Sequence, residues 1–245
     1  MAFVAHLFPA VIALLACQKR QRPATAEVAI YEAIKAMPDL DLSEPATFTT
    51  LPFPSLLPMP FQRFEHKKVG DINHFEYMGR LPFRELHKRI QDKHFITRSE
   101  SLYLSGTSGS GKSHLLAALA YNLIREGKRV FYIPDCCTLL LWPEEVLWQA
   151  LEFAFYDSDI LETIGNRGDV NALIRFISEH EDLYIIIDQV NVLLESERPK
   201  GCLTLDYIHA LRFKHPYIFS AEASEIPNHE VDTVFRIFGG MSKVC

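Results

Sequence analysis

Apolar residues occur in this chain as short uninterrupted runs separated by longer segments of helical periodicity. The runs predict strands at residues 102–105, 129–133, 183–187 and 217–220, with a fifth at 235–238. Between them, apolar side chains recur three and four positions apart, which predicts helices at residues 82–92, 114–126, 144–155, 169–178 and 203–213. Strands alternating with helices predict an α/β fold with a doubly wound, mainly parallel sheet of four or five strands. Its ligand is expected at the carboxyl ends of the strands.

The first 60 residues follow a different pattern. Residues 25–37 carry apolar positions at helical spacing and predict one short helix. Prolines then stand at positions 38, 45, 52, 54, 58 and 60. This density removes backbone donors that a helix or central strand needs, so we expect an extended linker. The predicted domains are an N-terminal helical segment with a proline-rich linker, 1–60, and the α/β domain, 61–245.

The first predicted strand of the α/β domain leads into a phosphate-binding loop. The loop is Gly106-Thr107-Ser108-Gly109-Ser110-Gly111-Lys112-Ser113, which fits G-x-x-x-x-G-K-S/T at every fixed position. Glycines let successive N–H groups point inward, and the start of the helix adds partial positive charge. Lys112 would reach the β- and γ-phosphates and the Ser113 hydroxyl would bind Mg²⁺. We assign the loop and the following His114 to nucleotide binding. The alternative is a glycine-rich surface loop.

The apolar run at residues 183–187 ends in Asp188, followed by Gln189. A carboxylate at the tip of a buried strand is costly unless it meets a positive charge, and in phosphate-loop NTPases that charge is Mg²⁺. Asp188 could instead cap the next helix. Gln189 could orient a water but cannot accept its proton as a carboxylate would. The candidate catalytic residues are Lys112, Asp188 and Gln189, and we expect hydrolysis to be slow.

Two further positions follow from their place in the pattern. Tyr77-Met78-Gly79-Arg80 precedes the loop strand, where AAA+ and related STAND-type ATPases carry an apolar–apolar–Gly-Arg motif beside the base. Gly79 and Arg80 are therefore candidate nucleotide contacts, although a plain turn before a helix would look the same. Ser220 ends the fourth predicted strand and could sense the γ-phosphate, or could satisfy a strand-end carbonyl.

Composition adds exclusions. The chain has 245 residues, is 48% hydrophobic, and has a formal net charge of −6, which argues against broad nucleic-acid binding. Five cysteines without metal-ligand spacing are typical of reduced thiols in an intracellular protein. The apolar run at residues 8–16 is too short to span a bilayer and lacks the positive charges that precede a signal sequence. We expect an N-terminal helix there.

The segment from Phe75 to Ser242 resembles the nucleotide-binding domain of crinkler-type proteins, an effector-like family of oomycetes, chytrids and mycorrhizal fungi. Its matching stretches are Phe75-Glu76-Tyr77-Met78-Gly79-Arg80, 106–118, Gly127-Lys128-Arg129-Val130, Tyr132-Ile133-Pro134-Asp135-Cys136, Asp188-Gln189-Val190-Asn191 and Gly239-Gly240-Met241-Ser242. In this family glutamine follows the strand aspartate, so Gln189 is a family trait. Residues 1–60 do not resemble the family's header, and the chain ends soon after the Gly-Gly element, so we expect a C-terminally truncated domain.

The residues and the resemblance together predict an AAA+-like P-loop NTPase domain that binds ATP, or GTP, with Mg²⁺ on Ser113 and Asp188. The resemblance implies an effector role and secretion into a host cell, whereas the cysteines favour the cytoplasm or nucleus. Self-association is expected for turnover, because no arginine finger can be assigned within one chain. Two alternatives stay open: a nucleotide-dependent switch that does not hydrolyse, and a kinase-type transfer enzyme.

Overall fold

A parallel sheet forms the centre of the molecule. The computed structural model describes residues 25–60, 62–65, 67–92, 101–157, 170–180, 183–194, 215–221 and 233–236. Within these residues, five strands make this sheet: β4 (Ser101–Ser105), β5 (Arg129–Ile133), β6 (Leu183–Ile187), β7 (Tyr217–Ser220) and β8 (Thr233–Arg236). They lie in the order β5-β6-β7-β4-β8, and every neighbouring pair is parallel. The predicted α/β fold with a parallel sheet is confirmed.

Alternate side chains of strands β4 to β7 enter two different hydrophobic cores, one on each face of the sheet. Leu102, Tyr132 and Ile186 belong to one core and Phe131 and Ile187 to the other. The first core is covered by α1 (Ala26–Ala36), α2 (Leu81–Ile90) and α3 (Lys112–Arg125). The second is covered by α4 (Cys136–Leu141), α5 (Pro143–Ala154), α6 (Val170–Glu179) and α7 (Asn191–Leu194). Helices on both faces make the sheet doubly wound.

A second, antiparallel sheet covers part of the first core and was not predicted. It consists of β1 (Phe48–Pro52), β2 (Lys67–Val69) and β3 (Ile72–Met78), in the order β1-β3-β2. The register pairs Phe48 with Met78 and Pro52 with His74. Proline is tolerated here because β1 lies at an edge of the sheet.

The proline-rich stretch is therefore more than a connection. Leu42, Leu51, Phe53 and Met59 are almost fully buried and belong to the same core as helix α3. The prolines do keep the backbone extended, but the apolar residues between them are packed, so the expectation of a linker at 38–60 is corrected. The division of the chain into residues 1–60 and 61–245 stays a prediction, since residues 1–24 lie outside the described part.

Most predicted elements are found within one to three residues of their expected ends. Helix α4 was missed, because the six residues Cys136–Leu141 are too few to show a period. The predicted helix at 203–213 and the Gly-Gly element at 239–242 lie outside the described residues. Within those residues, no helix is both long and apolar enough to cross a membrane.

Candidate functional site

The loop between β4 and α3 has the backbone that a phosphate cradle requires. Gly109 and Gly111 have φ angles of +74° and +83°, a region that glycine enters without steric cost. Gly111 is the N-cap of α3 and offers no side chain to the first-turn amides, and the start of a helix favours anion binding. The Lys112 ammonium donates to the carbonyl oxygens of Gly106 at 2.6 Å and Thr107 at 3.1 Å. The lysine thus lies folded along its own loop.

A cavity of about 440 Å³ opens beside this loop, within the size range of small-molecule sites. The loop residues lining it are Ser108, Gly109, Gly111, Lys112, Ser113 and His114. From other parts of the chain come Gln62, Arg63, Asp188, Gln189, Asn191, Ser220 and Ala221. The two halves of the predicted site therefore face one cavity.

Asp188 follows strand β6 and lines the same cavity as the phosphate loop. Its side chain is 1% exposed, its carboxylate accepts a hydrogen bond from the Ser220 hydroxyl, and the nearby Ser113 hydroxyl lowers its pKa. Burial raises the pKa of Asp188, while the Arg63 charge and the two hydroxyl groups oppose this shift. These partners are side chains on other elements, so the alternative that Asp188 caps the following helix is not what the structure shows.

Ser220 lies between Asp188 and the phosphate loop, because its strand β7 separates β6 from β4. Its hydroxyl donates to Asp188 and accepts the Gln189 backbone N–H at 3.1 Å. It satisfies a carboxylate and an amide rather than the strand-end carbonyl considered from the sequence. A role in sensing the γ-phosphate stays a prediction.

Gln189 has an uncommon backbone conformation. Its φ is +64°, the only positive value among the non-glycine residues that the structure describes. Such a conformation is costly outside glycine and is often held at functional sites by surrounding contacts. Here the backbone N–H is fixed by Ser220 and the side-chain oxygen accepts from Arg63.

Arg63 is one of the cavity residues that the sequence did not predict, along with Gln62, Asn191 and Ala221. Its guanidinium donates to the Pro134 carbonyl at 3.0 Å, to Asp188 at 3.2 Å and to Asp135 at 3.0 Å, and it also contacts Gln189. Asp135 in turn caps α4, accepting from Cys137 N–H at 3.1 Å. Only the fold brings these groups together, since Arg63 and Asp188 are 125 positions apart. No local pattern could have indicated it.

Gly79 and Arg80 act on the loop from outside the cavity lining. The Arg80 guanidinium donates to the Ser110 carbonyl at 2.9 Å and lies so close to Gly111 that a Cβ there would stand 1.9 Å from it. The Arg80 backbone N–H bonds to Leu42, and that of Gly79 to Thr47. The motif thus supports the phosphate loop. Its predicted contact with the base stays a prediction.

The His114 ring packs against Phe64, with centroids 4.6 Å apart. Burial and the nearby Arg80 charge lower the pKa of His114 to about 4. At neutral pH the imidazole is therefore uncharged, and the positive charge beside the loop comes from Lys112, Arg63 and Arg80.

This shift predicts a pH dependence of stability. Because the folded-state pKa lies below the unfolded value, the unfolded state binds more protons between pH 6.5 and 4. The stability that the neutral His114 side chain contributes is fully present above pH 6.5 and is lost as the pH falls toward 4. Between pH 7 and pH 4.5 we expect the free energy of unfolding to fall by about 2 kcal/mol less in His114→Gln than in the wild type. Urea unfolding at both pH values measures the difference. Equal losses in both proteins would contradict the assignment.

The residues present fit a magnesium ion. Mg²⁺ is usually held by one or two carboxylates together with substrate phosphates and water, and Asp188 with Ser113 supplies such a donor set beside the loop. Clusters of three or more His, Cys, Asp or Glu, which could hold a metal alone, do not occur among the described residues. The protein alone would thus bind the metal weakly, and the nucleotide phosphates would strengthen that binding.

Part of the chain matches a known protein family. Residues 57–141 match the family model described as IstB-like ATP binding protein. The match covers the loop, Arg63 and Asp135, and supports nucleotide binding. No curated protein matches the chain.

Several solved structures are similar at low identity. AMPPCP-bound DnaA from Aquifex aeolicus is 15% identical, with a TM-score of 0.40 over 62% of this chain and 44% of the other. PCH-2 from C. elegans is 17% identical, with a TM-score of 0.36 over 63% and 39%. The chain spans less than half the length of these structures.

Proposed function

We propose that this chain binds a nucleoside triphosphate, ATP, with Mg²⁺ on Ser113 and Asp188. The observation that carries the proposal is that these two side chains line one cavity together with the phosphate loop, where the Ser113 hydroxyl lowers the pKa of Asp188. A hydroxyl at the start of a helix and a buried carboxylate 75 positions later meet only if the loop and the strand end form one site. The match of residues 57–141 to an ATP-binding family supports ATP over GTP.

Each residue of the site has a role in this proposal. The loop amides and Lys112 hold the phosphates, and Lys112 exchanges its bonds to Gly106 and Thr107 for bonds to the β- and γ-phosphates. Ser113 and Asp188 orient the metal. When bound, Mg²⁺ neutralises phosphate charge and favours displacement at the γ-phosphorus.

Titration calorimetry with ATP, GTP and ADP, each with and without Mg²⁺, tests the proposal. We expect ATP to bind more tightly than GTP, and Mg²⁺ to strengthen ATP binding. The absence of ATP binding at millimolar concentration would overturn the proposal. Equal affinity for GTP would remove only the preference for adenine.

We propose further that hydrolysis is slow, because the residue placed to act on water lacks a carboxylate. Gln189 lines the cavity next to Asp188, and its side-chain oxygen is held by Arg63. It can orient a water molecule but cannot take up its proton.

We therefore expect Gln189→Glu to raise the turnover number by at least about tenfold, measured as phosphate release under saturating ATP. The wild type should show slow release that Lys112→Ala abolishes. A rate unchanged by the glutamate would show that proton uptake by this residue does not limit hydrolysis.

A nucleotide-dependent switch is the second candidate. It is favoured by the contact between Gln189 and Arg63, which holds the amide oxygen away from a water-orienting role. ATP binding without any phosphate release by the wild type would select the switch and reject the enzyme. Phosphate transfer to an acceptor other than water would select the kinase-type alternative.

The wider context is also a proposal. The motifs from Phe75 to Ser242 that resemble crinkler-type proteins support an effector-like role and imply secretion from the producing cell, whereas the cysteines favour the cytoplasm or nucleus. Detection of the tagged chain solely inside that cell would contradict the role.

We propose self-association during turnover. A specific activity that does not change with protein concentration would contradict this proposal.

A further inference from the structure

The Arg63 guanidinium lies against the buried carboxylate of Asp188. Of the two oxygens of the Asp188 carboxylate, Oδ1 accepts from the Ser220 hydroxyl and Oδ2 lies 3.2 Å from an Arg63 nitrogen. The Arg63 side chain is 17% exposed, and both residues line the cavity. The buried carboxylate thus has a positive charge of the chain's own beside it.

A divalent cation bound at Oδ2 would compete with this guanidinium. Mg²⁺ binds a carboxylate oxygen at about 2.0–2.1 Å, so it would lie within about 4–6 Å of the guanidinium charge, where like charges repel. The two cations therefore oppose each other at Oδ2.

We propose that Arg63 is the resident counter-ion of Asp188 and that it leaves this carboxylate when Mg²⁺ binds with the nucleotide. The inference rests on the proposed function, because it assigns the metal to Asp188. In the metal-free protein Arg63 compensates the buried charge. In the loaded protein Mg²⁺ takes over this task and the guanidinium moves away.

The remaining contacts show how Arg63 can move without being lost from the site. Asp135 at 3.0 Å and the Pro134 carbonyl at 3.0 Å both follow β5 and are independent of the metal oxygen. The residue lies in a turn in which the N–H groups of Arg63 and Phe64 bond to the Pro60 carbonyl at 3.1 and 3.2 Å. Phe64 packs against His114 of the helix that starts at the loop. Movement of the guanidinium should therefore loosen the hydrogen bonds of this turn.

The first test uses Mn²⁺ alone and nucleotide-free protein, with the free-ion signal in electron paramagnetic resonance as the readout. Arg63→Met removes the competing charge and keeps the length of the side chain. We expect it to bind Mn²⁺ about tenfold more tightly than the wild type. Arg63→Lys keeps the charge and should stay close to the wild type. Arg84→Met, which removes the partner of Asp41 on the surface, should have no effect.

Equal or weaker Mn²⁺ binding by Arg63→Met would overturn the inference. Weaker binding would mean that Arg63 positions Asp188 for the metal instead of competing with it. This result is separate from the fate of the proposed function, which fails only if the wild type does not bind ATP.

A second measurement uses only the wild type, so its outcome does not depend on whether a variant folds. Amide hydrogen exchange is compared between ADP with Mg²⁺ and ADP with a chelator. Release of the guanidinium should make the Arg63 and Phe64 amides exchange faster in the presence of Mg²⁺, while amides of β5 stay unchanged. Unchanged or slower exchange at these two amides would overturn the inference.

Discussion

Replacing Lys112 with alanine is expected to lower the affinity for ATP by at least about a hundredfold. The ammonium group contacts two loop carbonyls in the free protein, so it is held where phosphates would bind. Hydrogen bonds to charged groups contribute about 1.5–3 kcal/mol each, and two of them correspond to a hundredfold or more in the dissociation constant. Calorimetric titration with ATP measures the change.

The control is Lys128→Ala, which removes an exposed lysine just past the end of the same helix. It should leave the affinity for ATP unchanged. Both variants should unfold at about the wild-type temperature, because neither side chain is part of a hydrophobic core. A loss of less than about threefold for Lys112→Ala would show that the phosphates do not lie against this loop.

The second large effect is expected at Gly79, where Gly79→Ala should lower the free energy of unfolding by about 3 kcal/mol. A Cβ at this position would stand 2.0 Å from the carbonyl oxygen of Glu44 and 2.8 Å from its carbon. Both are backbone atoms and cannot turn aside, so the 41–47 turn must shift. Urea unfolding measures the change.

Gly70→Ala is the matched control. Gly70 has a φ of +62°, but a Cβ added there would meet no heavy atom within 4 Å, so its alanine variant carries only the backbone cost of about 1–2 kcal/mol. Equal destabilisation of the two variants would show that the turn at Glu44 does not pack against Gly79 as described. We also expect weaker ATP binding by Gly79→Ala, because Arg80 would move off the loop.

The parts of the fold that local sequence encodes could be predicted. The run Leu183–Ile187 is apolar throughout because both of its faces are buried, and Lys112 and Ser113 are fixed by their spacing from the loop glycines. The strand order could not be predicted, because it depends on which strands pair across long stretches of chain. The position of Ser220 between Asp188 and the loop follows from that order alone.

The antiparallel sheet was missed for a different reason. The prolines of residues 38–60 dominated the interpretation, although Leu51 and Phe53 stand among them and are buried. In β3 the deeply buried residues include the neighbours His74 and Phe75, so the strand does not alternate cleanly between apolar and polar positions. Arg63 had no sequence signal at all, because a lone arginine in a turn is usually a solvated surface residue.

The link between β3 and the phosphate loop has a consequence for control of the site. Strand β3 ends at Met78, and the guanidinium two residues later rests on the backbone of Ser110 and Gly111. A shift at the end of this strand would be passed to the loop through one glycine and one arginine, without entering the nucleotide cavity. A protein that binds the antiparallel sheet would thus change the shape of the nucleotide cavity without entering it.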